Sequence, residues 1–205
     1  MSSLLYRIGS WIMGEPSPGP SGPHNPSLFD IQHVRRLLRH FVPTELADMI
    51  LHHAAYYHVR TACTTAPLSV CDSRTHHADV PVLSIELTRL ADTAALDNVL
   101  RVEALVRGHD QGWSGYPEDK GTERNAWTWY SIGSADSATH EERLATNLHA
   151  VPQVQTHGPF VWERDSEVVG LLKTERVLEL WAHARYPGWT NHVEYAEMSI
   201  ICFPS

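Results

Sequence analysis

The chain has 205 residues, 42% of them hydrophobic types, with 16 Lys and Arg against 24 Asp and Glu for a formal charge of −8. Those figures fit one domain with a sizeable core and exclude a largely disordered or coiled-coil chain. The acidic balance argues against a nucleic-acid partner, which would need a basic face, and protonating all 14 histidines would carry the charge from −8 to +6.

Residues 1–13 set Leu4, Leu5, Ile8, Trp11 and Ile12 at helical spacing and so form a possible amphipathic helix. Arg7 is its lone basic residue, so a frayed terminus or a helix folded back onto the body is expected ahead of a membrane-surface or partner-docking helix. Residues 14–26 hold Pro16, Pro18, Pro20, Pro23 and Pro26 among Gly and Ser, which block both helix and ladder bonding and read as a linker.

A helical pair is expected over 27–60. Ser27 is placed to cap Leu28–Phe41, whose Ile31, Val34, Leu37, Leu38 and Phe41 share a face, and Pro43 ends that helix. Thr44 then caps a second helix through Leu46, Met49, Ile50, Leu51, Ala54 and Tyr57 to about Val59. The short link makes the two antiparallel, and neither can bury its stripe alone.

Over 61–205 the hydrophobic period moves from helical towards two. Strands are expected at Val82–Leu87, Leu100–Arg107, Ala126–Ile132, Ala145–Ala150, Pro159–Trp162, Val177–Arg185 and His192–Phe203, with a helical turn as one reading of Leu90–Val99. Turn-rich gaps without room for crossover helices predict an α+β, mainly β fold: the helical pair packed on an antiparallel, jelly-roll-like β-sandwich. Cys63, Cys71 and Cys202 make no C-x-x-C pair and are expected as buried small hydrophobes in a cytoplasmic protein.

Chemistry concentrates in three places. The long loop Gly108–Arg124 brings His109 and Asp110 next to a strand end, with Trp113 and Tyr116 beyond them; that these residues satisfy loop backbone groups while Trp113 plugs the sandwich end is expected ahead of an acid–base or ligand-bonding role. Trp127 and Trp129 stand two apart, on one strand face; a core layer is expected ahead of an open aromatic platform that would stack on a sugar ring or planar ligand. His183 and Arg185 project opposite to Ala182 and Ala184, towards solvent, just before the loop carrying Trp189, while Asn147 and His149 share another face. If the two Gly-Trp loops meet at one end of the sandwich, His109, Asp110, Arg185 and Trp189 line one cleft. His52-His53 and His76-His77 lack the spacing of a zinc site, and Glu118-Asp119 beside Lys120 reads as a solvated loop, so no metal and no cofactor are expected.

The string His109-Asp110-Gln111-Gly112-Trp113-Ser114, with Tyr116-Pro117-Glu118, Gly121-Thr122, Trp127-Thr128-Trp129 and Ala184-Arg185-Tyr186-Pro187-Gly188-Trp189, resembles a motif set of an uncharacterised fungal family over roughly residues 100–200. The stretch from Pro43-Thr44-Glu45-Leu46 through Ile50-Leu51 and Ala54 resembles an F-box, with two helices in place of three and Val42-Pro43 in place of the usual proline-leucine opening. The resemblance implies no established activity.

The residues themselves lead to a non-enzymatic binding module that offers an aromatic and histidine-lined cleft, with Trp113, Trp127, Trp129, His149, His183 and Trp189, to a small polar ligand or peptide. One alternative is a small cofactor-independent fungal cyclase or isomerase, with His109 as acid–base, Asp110 orienting it and Arg185 stabilising developing negative charge. Another is an F-box-like adaptor, which exposed apolar residues on the helical pair would favour.

Overall fold

The computed structural model describes residues 25–71, 77–87, 96–134 and 142–203. The expected helix at 1–13, most of the linker and most of Leu90–Val99 lie outside them. The end of the linker belongs to the folded body: the Asn25 side chain donates to Val59 O at 2.6 Å and accepts from Val59 N at 2.9 Å.

Helix α1, Leu28–Leu38, begins at a reciprocal capping box, in which Ser27 Oγ accepts from Asp30 N at 3.1 Å and Asp30 Oδ2 accepts from Ser27 N at 2.9 Å. It stops short of Phe41 because the amides of His40 and Phe41 tighten onto carbonyls three residues back. Helix α2, Thr44–His53, is capped by Pro43 with no side-chain hydrogen bond, so Thr44 is not the cap the sequence suggests. It also ends well before Val59: Ala55 turns left-handed at φ 48°, and the chain enters strand β1, His58–Cys63. Arg35 grips Asp48 through two bonds of 2.6 and 2.8 Å, pinning α1 to α2, while Ile31 and Leu51 bury themselves on Phe203.

The sandwich therefore starts at His58, not residue 61. Among the described residues one sheet holds five strands in the order β1-β9-β4-β7, with β2 also on β9; these are β2, Leu68–Cys71, β4, Val99–His109, β7, Gln155–Glu163, and β9, Thr190–Cys202. The other has the order β3-β8-β5-β6, from β3, His77–Glu86, β5, Thr128–Gly133, β6, Glu142–Thr146, and β8, Val177–Arg185. Every pairing is antiparallel. Alternation decides the inner faces: Val102, Ala104 and Val106 of β4 and Met198 and Ile200 of β9 meet Ile132 of β5 and Leu178, Leu180, Ala182 and Ala184 of β8.

A helix not expected from the sequence pattern, α3, Glu167–Glu175, carries the chain from β7 in the first sheet to β8 in the second, and its Val168, Val169 and Leu172 close that end of the core. Ser166 caps it by accepting from Val169 N at 3.3 Å. The strand expected through Ala150 ends at Thr146, and β1 and β2 are too short and too irregular in pattern to show in the sequence. Cys63 and Cys71, at these two edge strands, are exposed, and Cys202 alone is buried.

At the end away from α3 the interior is built from small residues. Gly108, Ala182, Ala184 and Ala196 leave the room that the fully buried Tyr130 ring fills. A Cβ on Gly108 would collide with Tyr130 Oη and with the carbonyl oxygen of His192, and the carbonyl is strand backbone that cannot rotate away. Gly108→Ala should therefore destabilise by about 2–3 kcal/mol, read from urea unfolding midpoints. An unchanged midpoint would show that β4 and β9 part easily here.

Candidate functional site

Among the described residues, chain direction brings three loops to the end away from α3: the long one from Asp110 to Trp127, that from Asn147 to Val154, and that from Tyr186 to Trp189. Asp110, fully buried, ties the first to the second, its Oδ1 accepting from Gly112 N at 2.8 Å and its Oδ2 from Ala150 N at 2.7 Å. Burial raises the Asp110 pKa, and the two backbone amides pull against that rise. Gln111 ties the first to the third, with Oε1 accepting from Thr190 N at 3.2 Å and Nε2 donating to Trp113 O at 3.0 Å. The two Gly-Trp loops meet: a Cβ on Gly188, whose φ of +92° suits glycine, would lie 3.6 Å from Trp113 Cη2.

Aromatic side chains crown this end. Trp113 is 64% exposed, Tyr116 57% and Tyr186 46%. Tyr186 meets Trp127 edge to face at 4.7 Å between centroids. Trp127 and Trp129 do share a face, but it is the outer one; Thr128, Tyr130 and Ile132 fill the core and both indoles are half-buried, which corrects the expectation of a core layer. Beneath the crown, His149 is fully buried with its ring 5.3 Å from that of Trp189 and its Nδ1 donating to Asn125 O at 2.7 Å. Its Nε2 is enclosed and has no hydrogen-bond partner among the described residues. Asp119 proves structural too: it is buried, accepting from Asn125 Nδ2 at 2.6 Å and pairing with Arg124 at 3.2 Å.

Between the sheets lies a polar strut. Asn147 donates to Asn191 Oδ1 at 2.9 Å and to Thr128 Oγ1 at 3.1 Å, and it accepts from His157 Nε2 at 3.2 Å. Asn191, on β9 of one sheet, donates to the carbonyls of Trp129 and His183 on the other at 3.0 and 3.2 Å.

The expected cleft of His109, Asp110, Arg185 and Trp189 is not assembled. His109 faces outward from the first sheet, stacked on its cross-strand neighbour His192 at 4.8 Å, with Nε2 3.7 Å from Glu194. Its Nδ1 donates to the backbone oxygen of Asp110 at 2.7 Å, so the Asp110 carboxylate, spent on amides, does not orient it. Arg185 projects from the second sheet, bonded to Asp79 at 2.6 Å with its guanidinium 4.8 Å over Trp129. Outward residues of opposing sheets cannot share a cleft.

His183 also departs from expectation. It points outward yet is buried, lying flat against Trp129 at 4.9 Å and 11°. It bonds Asp79 Oδ1 through Nδ1 at 2.6 Å and Ser131 Oγ through Nε2 at 2.7 Å. Asp79 and Ser131 carried no signal in the sequence, since Asp79 reaches His183 only through the register of β3 on β8. Burial pushes the Asp79 carboxyl up, but hydrogen bonds from Arg185 and His183 outweigh it and leave the pKa below its usual value.

Among the described residues no group of three or more His, Cys, Asp or Glu is placed to hold a metal ion, and no helix is long and apolar enough to cross a membrane. No protein-family model and no curated protein matches the sequence. Among solved structures the chain is similar to one described as "Structure of infectious bursal disease virus Gx strain", at 9% identity and a TM-score of 0.41, covering 71% of this chain and 32% of that one.

Two outcomes test the site's physics. Asp110→Ala strands two amides, one of them in a fully buried contact, and should destabilise by roughly 2–4 kcal/mol in chemical denaturation. Burial lowers the pKa of His157, and burial together with neighbouring His109 lowers that of His192. Each imidazole binds its proton more readily once unfolded, so unfolding takes up protons and stability falls as pH drops below about 6.5. Unfolding midpoints should decline from about pH 7.5 to 5, and decline less in His157→Gln; a flat profile in the parent chain would contradict this.

Proposed function

We propose that this protein is a binding module that holds a small polar ligand, without covalent chemistry, on the aromatic end formed by the two Gly-Trp loops. The observation that carries the reading is Trp113, 64% exposed yet seated on Gly188 of the opposite loop. An indole in that position is held in place and still open on one face, which is what stacking on the apolar face of a sugar ring or a planar ligand requires. Tyr116 and Tyr186 extend the surface and add hydroxyls for hydrogen bonding. Within this reading His109 and Arg185 lie outside the ligand surface, and the setting is a cytoplasm in which Cys63 and Cys71 stay thiols.

A glycan array and a peptide array, followed by titration calorimetry on the hits, test it. Trp113→Ala should weaken the best saccharide at least tenfold while shifting stability by no more than about 0.5 kcal/mol, since an exposed ring leaves little behind. Trp127→Ala removes a half-buried indole and should lower stability more than affinity. Retention of full affinity in Trp113→Ala, or hits confined to peptides, would redirect the assignment.

A second reading rests on the helical pair, which exposes Phe29, Leu37, Phe41, Leu46 and Met49, with Phe41 86% accessible. Exposed apolar side chains on a helical pair suit an F-box-like adaptor that docks a protein partner. If so, Phe41→Ser with Met49→Ser abolishes cross-linking to that partner in cells and leaves saccharide binding intact.

A further inference from the structure

On the outer face of the second sheet three strands bring together Asp79 from β3, His183 from β8 and Ser131 from β5. A carboxylate can only accept, so in neutral His183 the 2.6 Å bond to Asp79 Oδ1 places the proton on Nδ1. Nε2 is then the acceptor of the Ser131 hydroxyl at 2.7 Å. That is the connectivity of a serine nucleophile, its general base and the acid that orients the base, and the triad is recognised by this geometry and not by sequence position.

The surroundings favour the same use. Arg185 shares Asp79 Oδ1 at 2.6 Å and keeps that carboxylate ionised. Trp129 lies flat on the imidazole at 4.9 Å and limits its rotation. A bulge faces the serine: Tyr130 pairs with Ala145 but Ser131 with Arg143, which leaves Leu144 as the extra residue, and bulges recur next to active sites. Arg143, the cross-strand neighbour of Ser131, is exposed and carries its guanidinium 4.7 Å over Trp129.

We propose that Ser131, His183 and Asp79 form a charge-relay site that hydrolyses short-chain carboxylic esters. Ser131 Oγ bonds to the acyl carbon as its proton passes to His183 Nε2, and the ester C–O bond breaks as that proton leaves on the alcohol. Water then attacks the acyl carbon as one of its protons passes to His183 Nε2; the acyl carbon–Oγ bond breaks, that proton moves on to Ser131 Oγ, and the acid leaves with the remaining hydroxyl of the water. Arg143 supplies the positive charge for the oxyanion, and Asp79 is a positioning residue. Ser131 is 1% exposed, so an acyl group reaches Oγ only when covering side chains such as the exposed Arg143 swing aside. This site lies apart from the loop surface and stands or falls separately from it.

The test uses the full chain with an ethyl fluorophosphonate, read by intact mass and peptide mapping, and with p-nitrophenyl acetate, read as a burst of nitrophenolate. The expected result is one adduct per chain on Ser131, absent in Ser131→Ala and formed at least about 100-fold more slowly in His183→Gln. Asp79→Asn should slow labelling at least about tenfold and Asp79→Glu should regain part of it, a rescue that a purely structural carboxylate would not give. Asp79 is partly exposed, so these two variants serve even where His183→Gln fails to fold, as melting curves would reveal. An unlabelled Ser131 in the parent chain, or equal labelling in Asp79→Asn, overturns the proposal.

Discussion

The Asn191 side chain is the constraint on which the loop end depends. It reaches from β9 to the carbonyls of Trp129 and His183 on the facing sheet, and receives Asn147 on its own oxygen. A buried amide must satisfy both its donors and its acceptor, so this strut specifies one spacing and one register between the sheets. Apolar packing is less demanding, because Leu or Val can slide at small expense. Once the strut is set, β8 and β9 leave the sandwich in fixed positions, and the loop between them must carry Gly188 under Trp113.

The two ends of the sandwich divide the work. At one, α3 and the helical pair bring Val168, Val169, Leu172, Ile31 and Leu51 into apolar clusters with the strand ends and Phe203. At the other, the interior turns polar and small, Tyr130 fills the gap over Gly108, and loops replace helices as the cover. Loops on a rigid scaffold can present large aromatic rings to solvent without exposing backbone groups that need partners, since Asp110 and Gln111 satisfy amides from beneath.

The outer faces of the sheets differ in kind as well. The first carries the stacked pair His109 and His192 beside Glu194, a small polar patch. The second carries a continuous run of Trp129, His183, Arg185, Asp79 and Ser131 in which each group has a partner. Density of this sort on a solvent face is unusual for a surface that only needs to be soluble, where isolated charges suffice.

The sequence by itself determined the elements whose signal is local. Ser27 as the cap sets the start of α1, alternation sets β4 and β8, and period two assigns Ala182 and Ala184 to the core and His183 and Arg185 to the other side. Short or irregular elements escaped it: β1 and β2 are brief edge strands, and α3 hides its stripe behind Gly170. Pairwise meetings lay beyond it altogether. Whether His109 joins Arg185 or Asp79 joins His183 depends on which strands become neighbours and in which register. That choice is made by long-range packing between residues 104 apart in the Asp79–His183 case, a separation at which no local pattern carries information. The convergence of the two Gly-Trp loops was a geometric possibility in the sequence. Only the tertiary structure decided it, because the inter-sheet strut and the buried Asp110 hold the loop ends together.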